Sequence, residues 1–168
     1  ITLGVLPCTE EQISGFGAVR LDGSGRVLEF REKPKSAGER EGMEADPALL
    51  ARAGVSADRP YVASMGIYLF KRDVLLSSLD NDLTDFGHHV IPAAVDDCRV
   101  QALFYKGYWR DIGTRDAYYD ANMDLISVDP QLNLYDEHWR VRTYQPNLPP
   151  PKFVFAGHGG SERCGRAI

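Results

Sequence analysis

Apolar and polar residues alternate over 16–21 and again over 26–32, with Asp22-Gly23-Ser24-Gly25 between the two runs. That is the pattern of two strands joined by a turn. In the second run the alternation sets Leu28 and Phe30 on one face and Val27, Glu29 and Arg31 on the other. Pro34 cannot donate to a ladder, so pairing should stop there and leave Glu32 and Lys33 at a strand end. Ile1 to Leu6 is a short, mostly apolar run, and Arg99 to Tyr105 predicts a further strand. Tyr61 to Phe70 is uncharged and rich in Tyr, Val, Ile and Phe, which predicts a central strand covered on both faces.

Helical signals fall between these runs. Asp46 is placed to cap a helix through Ala53, with Pro47 at its first position. Further helices are predicted over Asp73–Leu79 and Asp85–Val95, and from Thr114 onward, where Tyr118, Ala121 and Leu125 recur at helical spacing. The whole of 35–60, the Asp46-capped helix included, is rich in Ser, Ala, Gly, Glu and Arg and reads as a mobile surface excursion. Strands alternating with helices predict the α/β class: a mixed, mostly parallel sheet with flanking helices. Pro130, Pro146, Pro149, Pro150 and Pro151 predict an extended connector over 128–168, following a domain of residues 1–127. The chain opens in mid-strand pattern and stops soon after a Gly-rich turn, so it is expected to be truncated at both ends.

Composition narrows the function classes. With 43% hydrophobic and 26% charged residues in 168, a single core can form. The net charge of −5, with both signs interspersed, gives no continuous positive field for a nucleic-acid backbone. No apolar run approaches the roughly 20 residues that span a bilayer, and the first residues lack the layout of a signal peptide. No membrane partner and a cytoplasmic location are therefore expected. Cys8, Cys98 and Cys164 are odd in number and widely spaced, which suggests reduced thiols rather than a disulfide framework. The adjacent His88 and His89 would point about 100° apart on a helix and make a poor metal grip.

Four clusters could carry chemistry. Phe30-Arg31-Glu32-Lys33-Pro34 brings a carboxylate, which accepts from sugar hydroxyls, beside an ammonium, which pairs with phosphate. Taken alone it is a weak signal, since such a pair at a strand terminus is usually solvated surface. Ser64-Met65-Gly66-Ile67-Tyr68 puts two hydroxyls on one face of an apolar strand, around a glycine that permits close approach. Two satisfied core hydroxyls would look the same. Thr84-Asp85-Phe86-Gly87 opens a helix and could be no more than its cap. In Gly107-Tyr108-Trp109-Arg110-Asp111-Ile112-Gly113-Thr114 an aspartate in a glycine-bounded turn offers a hard oxygen ligand for Mg²⁺, and a tryptophan offers an apolar wall. A plain turn aspartate is the alternative.

In their order along the chain these clusters, with Gly15-Phe16-Gly17 before them and Ile91-Pro92 after Asp85-Phe86-Gly87, closely resemble bacterial glucose-1-phosphate adenylyltransferases, the ADP-glucose pyrophosphorylases. The resemblance covers nearly the whole chain and matches the C-terminal half of the catalytic nucleotidyltransferase domain, a GT-A-like, Rossmann-like fold. It implies that Gly17, Glu32, Lys33, Ser64 and Tyr68 contact glucose 1-phosphate, with Asp85, Phe86 and Trp109 completing the sugar pocket. It further implies that Lys33 binds the phosphate and that Asp111 is one of two carboxylates holding the catalytic Mg²⁺, its partner lying upstream of Ile1. ATP as second substrate, a homotetramer and a place in glycogen or α-glucan synthesis are implied as well. The Gly-rich, Arg-containing loop that cradles ATP in this family has no counterpart here, so the chain alone is expected to lack adenylyltransferase activity. Rival readings are a GDP-mannose or dTDP-glucose type pyrophosphorylase, a non-catalytic regulatory subunit, and a structural fragment without ligand competence.

Overall fold

The computed structural model describes residues 1–142, 147 and 149, and the backbone of 153, 154, 166 and 167. The chain forms two compact units, Ile1–Gly107 and Tyr108–Ile168.

In the first unit, local signals set most elements. They run β1 (Thr2–Cys8), α1 (Glu10–Ile13), β2 (Gly17–Leu21), β3 (Val27–Glu32), α2 (Ala37–Arg40), α3 (Pro47–Ala53), β4 (Tyr61–Leu69), α4 (Arg72–Ser78), a π-helical turn (Phe86–Val90), α5 (Ile91–Asp97) and β5 (Gln101–Phe104). Asp46 caps α3 by accepting from the Ala48 N–H, Pro47 takes the first turn, and Gly54 ends the helix in the left-handed conformation at φ 75°. Not foreseen was α1, where Thr9 and Gln12 form a reciprocal capping box.

The five strands make one sheet in the order β3-β2-β4-β1-β5. It is mixed, as expected, but not mostly parallel. Only β1 with β5 is parallel, while β1–β4, β2–β3 and β2–β4 are antiparallel. The helical excursion after β3 carries the chain across to β4, which runs parallel to β3 but is separated from it by the antiparallel β2, so strand-helix alternation did not here make parallel strands neighbours. β4 is central, as expected. Its first half is buried, whereas Ile67 and Leu69 beyond Gly66 are 52% and 67% exposed, so the strand is not covered on both faces along its length.

Two bulges explain the remaining departures. Arg20 pairs with Glu29 but Leu21 pairs with Val27, leaving Leu28 as the extra residue. Val27 is consequently buried with Phe30, and Leu28 is 43% exposed, reversing the predicted faces of these two. In β4 the pairing steps from Val5–Ser64 to Leu3–Tyr68, so three residues oppose Gly4. Gly66 sits in this bulge at φ 71° with open space where a side chain would project. Glycine is needed there for backbone conformation rather than for close approach.

Alternation along the strands divides the core. Leu3, Val5, Val19, Phe30, Ile91 and Val95 belong to one cluster, while Cys8, Ile13, Ala18, Met43, Tyr61 and Ala63 belong to the other. Met43, fully buried, comes from the segment expected to be a mobile surface excursion. That expectation is corrected. The segment carries a Ser36–Glu39 capping box on α2, a Glu44–Tyr61 bridge and buried Leu49 and Leu50. Arg31 clamps it by donating from Nη1 to the carbonyls of Glu39 (2.7 Å) and Glu41 (3.2 Å). Burial of Cys8 pushes its thiol up to about 12. Cys8 and Cys98 are free thiols, and Cys164 lies outside the described residues.

The second unit contains α6 (Arg115–Leu125), capped by Thr114 accepting from the Ala117 N–H, and a short antiparallel ladder of Phe153–Val154 with Arg166–Ala167. The predicted connector over 128–168 falls largely outside the described residues beyond 142. Among the described residues no helix is long and apolar enough to cross a membrane.

Candidate functional site

Cross-strand pairing decides which side chains meet. Gly17 pairs with Glu32, Ala18 with Ala63, Val5 with Ser64 and Leu3 with Tyr68. Paired residues point the same way and neighbours point oppositely. Gly17, Glu32, Ser64 and Tyr68 therefore share one face of the sheet, the face on which Ile91 and Val95 of α5 pack.

The π-helical turn closes over that face. The Phe86 ring stacks on Tyr68 with centroids 5.9 Å apart and planes at 12°, and Phe70 meets both rings edge-on at 6.4 and 6.2 Å. Such pairs contribute about 0.5–1.5 kcal/mol each beyond burial and prefer these offset or T-shaped arrangements. The stack fixes where Asp85, Phe86 and Gly87 stand relative to β4. The predicted substrate residues Gly17, Glu32, Lys33, Ser64, Tyr68, Asp85 and Phe86 all lie in the first unit, and its structure gathers them around the end of β3.

Within this group Glu32 is the least exposed of the charged residues. Its side chain is 17% exposed, and its only charged partner among the described residues is Lys33, with Nζ 3.6 Å from Oε1. Lys33 has a 55% exposed side chain and is the only non-glycine described residue with positive φ, at 47°. Left-handed backbone costs a residue with a Cβ about 1–2 kcal/mol, and a residue before proline prefers extended backbone. The Lys33 N–H holds the conformation by donating to the Phe16 carbonyl at 3.0 Å. Nothing in the residue types announces this strain, which turns the chain away at the point where the ammonium is presented. Ser64 is buried, and its Oγ accepts from the Gly66 N–H at 3.2 Å across the bulge.

Asp85 has the cap role anticipated for it. Its Oδ1 accepts from the His88 N–H at 2.7 Å and lies 3.2 Å from His88 Nδ1. The backbone bond from His88, followed by its side chain, holds the Asp85 carboxyl below its ordinary 3.8. A depressed folded value means that the cap's contribution is complete above the unfolded value and is lost as pH falls through the folded one. Amide exchange during acid titration should find the His88 N–H protected until the pH is below 3.8, and unprotected throughout in Asp85→Ala. Unchanged protection in the variant would remove the cap. The rings of His88 and His89 lie 6.2 Å apart, and no group of three metal-ligating side chains occurs among the described residues.

Trp109 and Asp111 belong to the second unit. There Arg110 is occupied by Asp124 (2.6 Å) and Asp120 (3.1 Å) on α6, and the Tyr108 hydroxyl also donates to Asp124 at 2.9 Å. These contacts pin the turn to the helix. Asp111 is exposed, with no ion pair among the described residues, and its carboxylate lies over Gly113. One unneutralised carboxylate fits Mg²⁺, which keeps several waters and commonly takes one or two carboxylates together with substrate phosphates.

Residues 1–128 match the family model described as nucleotidyl transferase. The glucose-1-phosphate adenylyltransferase of Rhodopirellula baltica is 43% identical over 183 residues, covering 100% of this chain and 37% of that protein. Glucose-1-phosphate adenylyltransferase 2 of Alkalilimnicola ehrlichii is 41% identical over 180 residues, covering 100% of this chain and 39% of its own length. The chain thus spans about two fifths of the length of these curated relatives.

Proposed function

The chain belongs to the nucleotidyl transferase family, and on that premise we propose that it supplies the sugar-phosphate side of a glucose-1-phosphate adenylyltransferase. In that reaction a phosphate oxygen of glucose 1-phosphate attacks the α-phosphorus of ATP. A new P–O bond forms, the α–β P–O bond breaks, and pyrophosphate leaves with the electron pair.

The observation that carries the reading is the Glu32–Lys33 pair: a carboxylate largely withdrawn from water, with no hydrogen-bond donor of its own among the described residues, 3.6 Å from a presented ammonium. A withdrawn carboxylate gains most from a ligand that brings donors, and a hexose brings several hydroxyls. Lys33 takes the phosphate as a point charge. Ser64 uses its oxygen toward Gly66 and keeps its proton for a ligand oxygen. The Tyr68–Phe86 stack gives an apolar wall beside these polar groups, the combination that orients a sugar.

In the second unit, Trp109 offers an apolar surface of its own in this reading, and Asp111 is the residue of this chain that would hold Mg²⁺. When bound, the metal supplies positive charge to the reacting phosphates. The family's Gly-rich ATP loop has no counterpart in these 168 residues, so the sugar phosphate is the substrate this chain can hold by itself. Homotetramer assembly and a place in α-glucan synthesis rest on the family resemblance alone.

Calorimetric titration of the chain with glucose 1-phosphate should give saturable heat, with mannose 1-phosphate and inorganic phosphate binding more weakly. Absence of saturation up to about 10 mM glucose 1-phosphate, an affinity near −2.7 kcal/mol or weaker, would sink the reading.

A further inference from the structure

Two glycines from different elements press on one carboxylate. A Cβ on Gly87, in the π-helical turn, would stand 2.5 Å from Glu32 Oε2 and 2.9 Å from its Cδ. A Cβ on Gly17, in β2, would stand 2.9 Å from the same Oε2 and would also strike the Phe30 ring. Neither glycine has positive φ, so neither is required by its backbone conformation. They differ in this from Gly25, Gly42, Gly54 and Gly66, whose φ values of 71° to 81° require glycine even though a side chain there would find open space or, at Gly25, only the Gln101 side chain.

We infer that Gly87 is a positioning residue: its missing side chain completes, with Gly17, a notch that seats Glu32 Oε2 and turns Oε1 toward Lys33. The notch is firm because both walls are tied down. Gly17 is buried within the β2–β3 ladder, and the π-helical turn is anchored by the Phe86–Tyr68 stack and the Asp85 cap. An alanine at 87 occupies the space of Oε2, and the carboxylate must swing away from the position beside the ammonium. That Glu32 meets sugar hydroxyls rests on the proposed function, whereas the notch itself does not.

The test is a double cycle on the full 168-residue chain, with Gly87→Ala, Glu32→Ala and both together. Alanine for glycine inside a helical turn ordinarily stabilises. Here the change in thermal midpoint caused by Gly87→Ala should be less favourable while Glu32 is present than in the Glu32→Ala background, where it should be nil or an increase. An equal change in both backgrounds would assign Gly87 to the turn's backbone and overturn the inference. In the same proteins Gly87→Ala should weaken glucose 1-phosphate at least tenfold with circular dichroism unchanged, and the double variant should be no weaker than Glu32→Ala. Wild-type affinity in Gly87→Ala would also overturn it. If the unmodified chain fails to bind, the sugar-phosphate reading is lost, and the thermal cycle still decides the notch.

Discussion

Replacing Lys33 with glycine should weaken glucose 1-phosphate binding by about 1–3 kcal/mol, the range for losing a hydrogen bond to a charged group, while leaving the folded chain as stable or more so. The two effects have separate causes. Binding falls because the ammonium goes. Stability is kept because glycine adopts φ 47° without the Cβ penalty, an advantage of about 1–2 kcal/mol offset in part by the greater freedom of glycine in the unfolded chain. Lys33→Ala separates them: it removes the same ammonium but retains the Cβ, so it should bind as poorly as the glycine variant and melt at a lower temperature. Calorimetry and thermal melts of the three proteins decide the matter. An alanine variant that melts above the glycine variant would show that the left-handed turn stores no strain.

Met43→Ala should destabilise the first unit by about 2–5 kcal/mol, as expected when a fully buried long apolar side chain leaves a cavity. Met43 packs with Cys8, Ile13, Ala18, Tyr61 and Ala63, on the sheet face opposite the one carrying Glu32 and Ser64. The loss should therefore appear in denaturant midpoint at unchanged slope, with glucose 1-phosphate affinity measured below the transition little altered. A cost below about 0.5 kcal/mol is what an exposed position gives, and would return residues 35–60 to the surface.

That methionine shows where reading the residues stopped. Methionine has no positional signature, and the polar residues around it outweighed it, so only tertiary packing identifies the segment as part of the core. The β2–β3 hairpin and α3 were legible because their determinants are local: alternation, an Asp-Gly turn, an aspartate cap and a proline at the first helical position. Val27 and Leu28 were assigned to the wrong faces because one bulge residue inverts every side chain beyond it. The sheet's pairing directions were misjudged because they depend on where a connection returns, which residue types do not encode. Around the candidate site, the strand-end position of Glu32 and Lys33 followed from Pro34 and the shared face of Ser64 and Tyr68 from their spacing, whereas the roles proposed for them came from the family resemblance. The bulge in β4 inserts two residues rather than one, which preserves that shared face. Gly87 was visible only as part of a motif. Empty volume beside a carboxylate is a property of two distant segments and leaves no mark on either.

The end of the β2–β3 hairpin reaches round to β5, where Val27 N–H donates to the Val100 carbonyl and Ala102 N–H to the Gly25 carbonyl, both at 2.9 Å. The two outer strands thereby bond to each other at one end. This arrangement dictates an order of assembly. The hairpin can zip on neighbouring information within about 1–10 μs. The seam cannot close until residues far downstream arrive, and Thr2 likewise waits for Leu69 on one side and Gln101 on the other. Refolding should accordingly be governed by this late closure, at the slower pace of chains rich in distant pairings. Until then the lone apolar β1 is the species most prone to stick to another molecule.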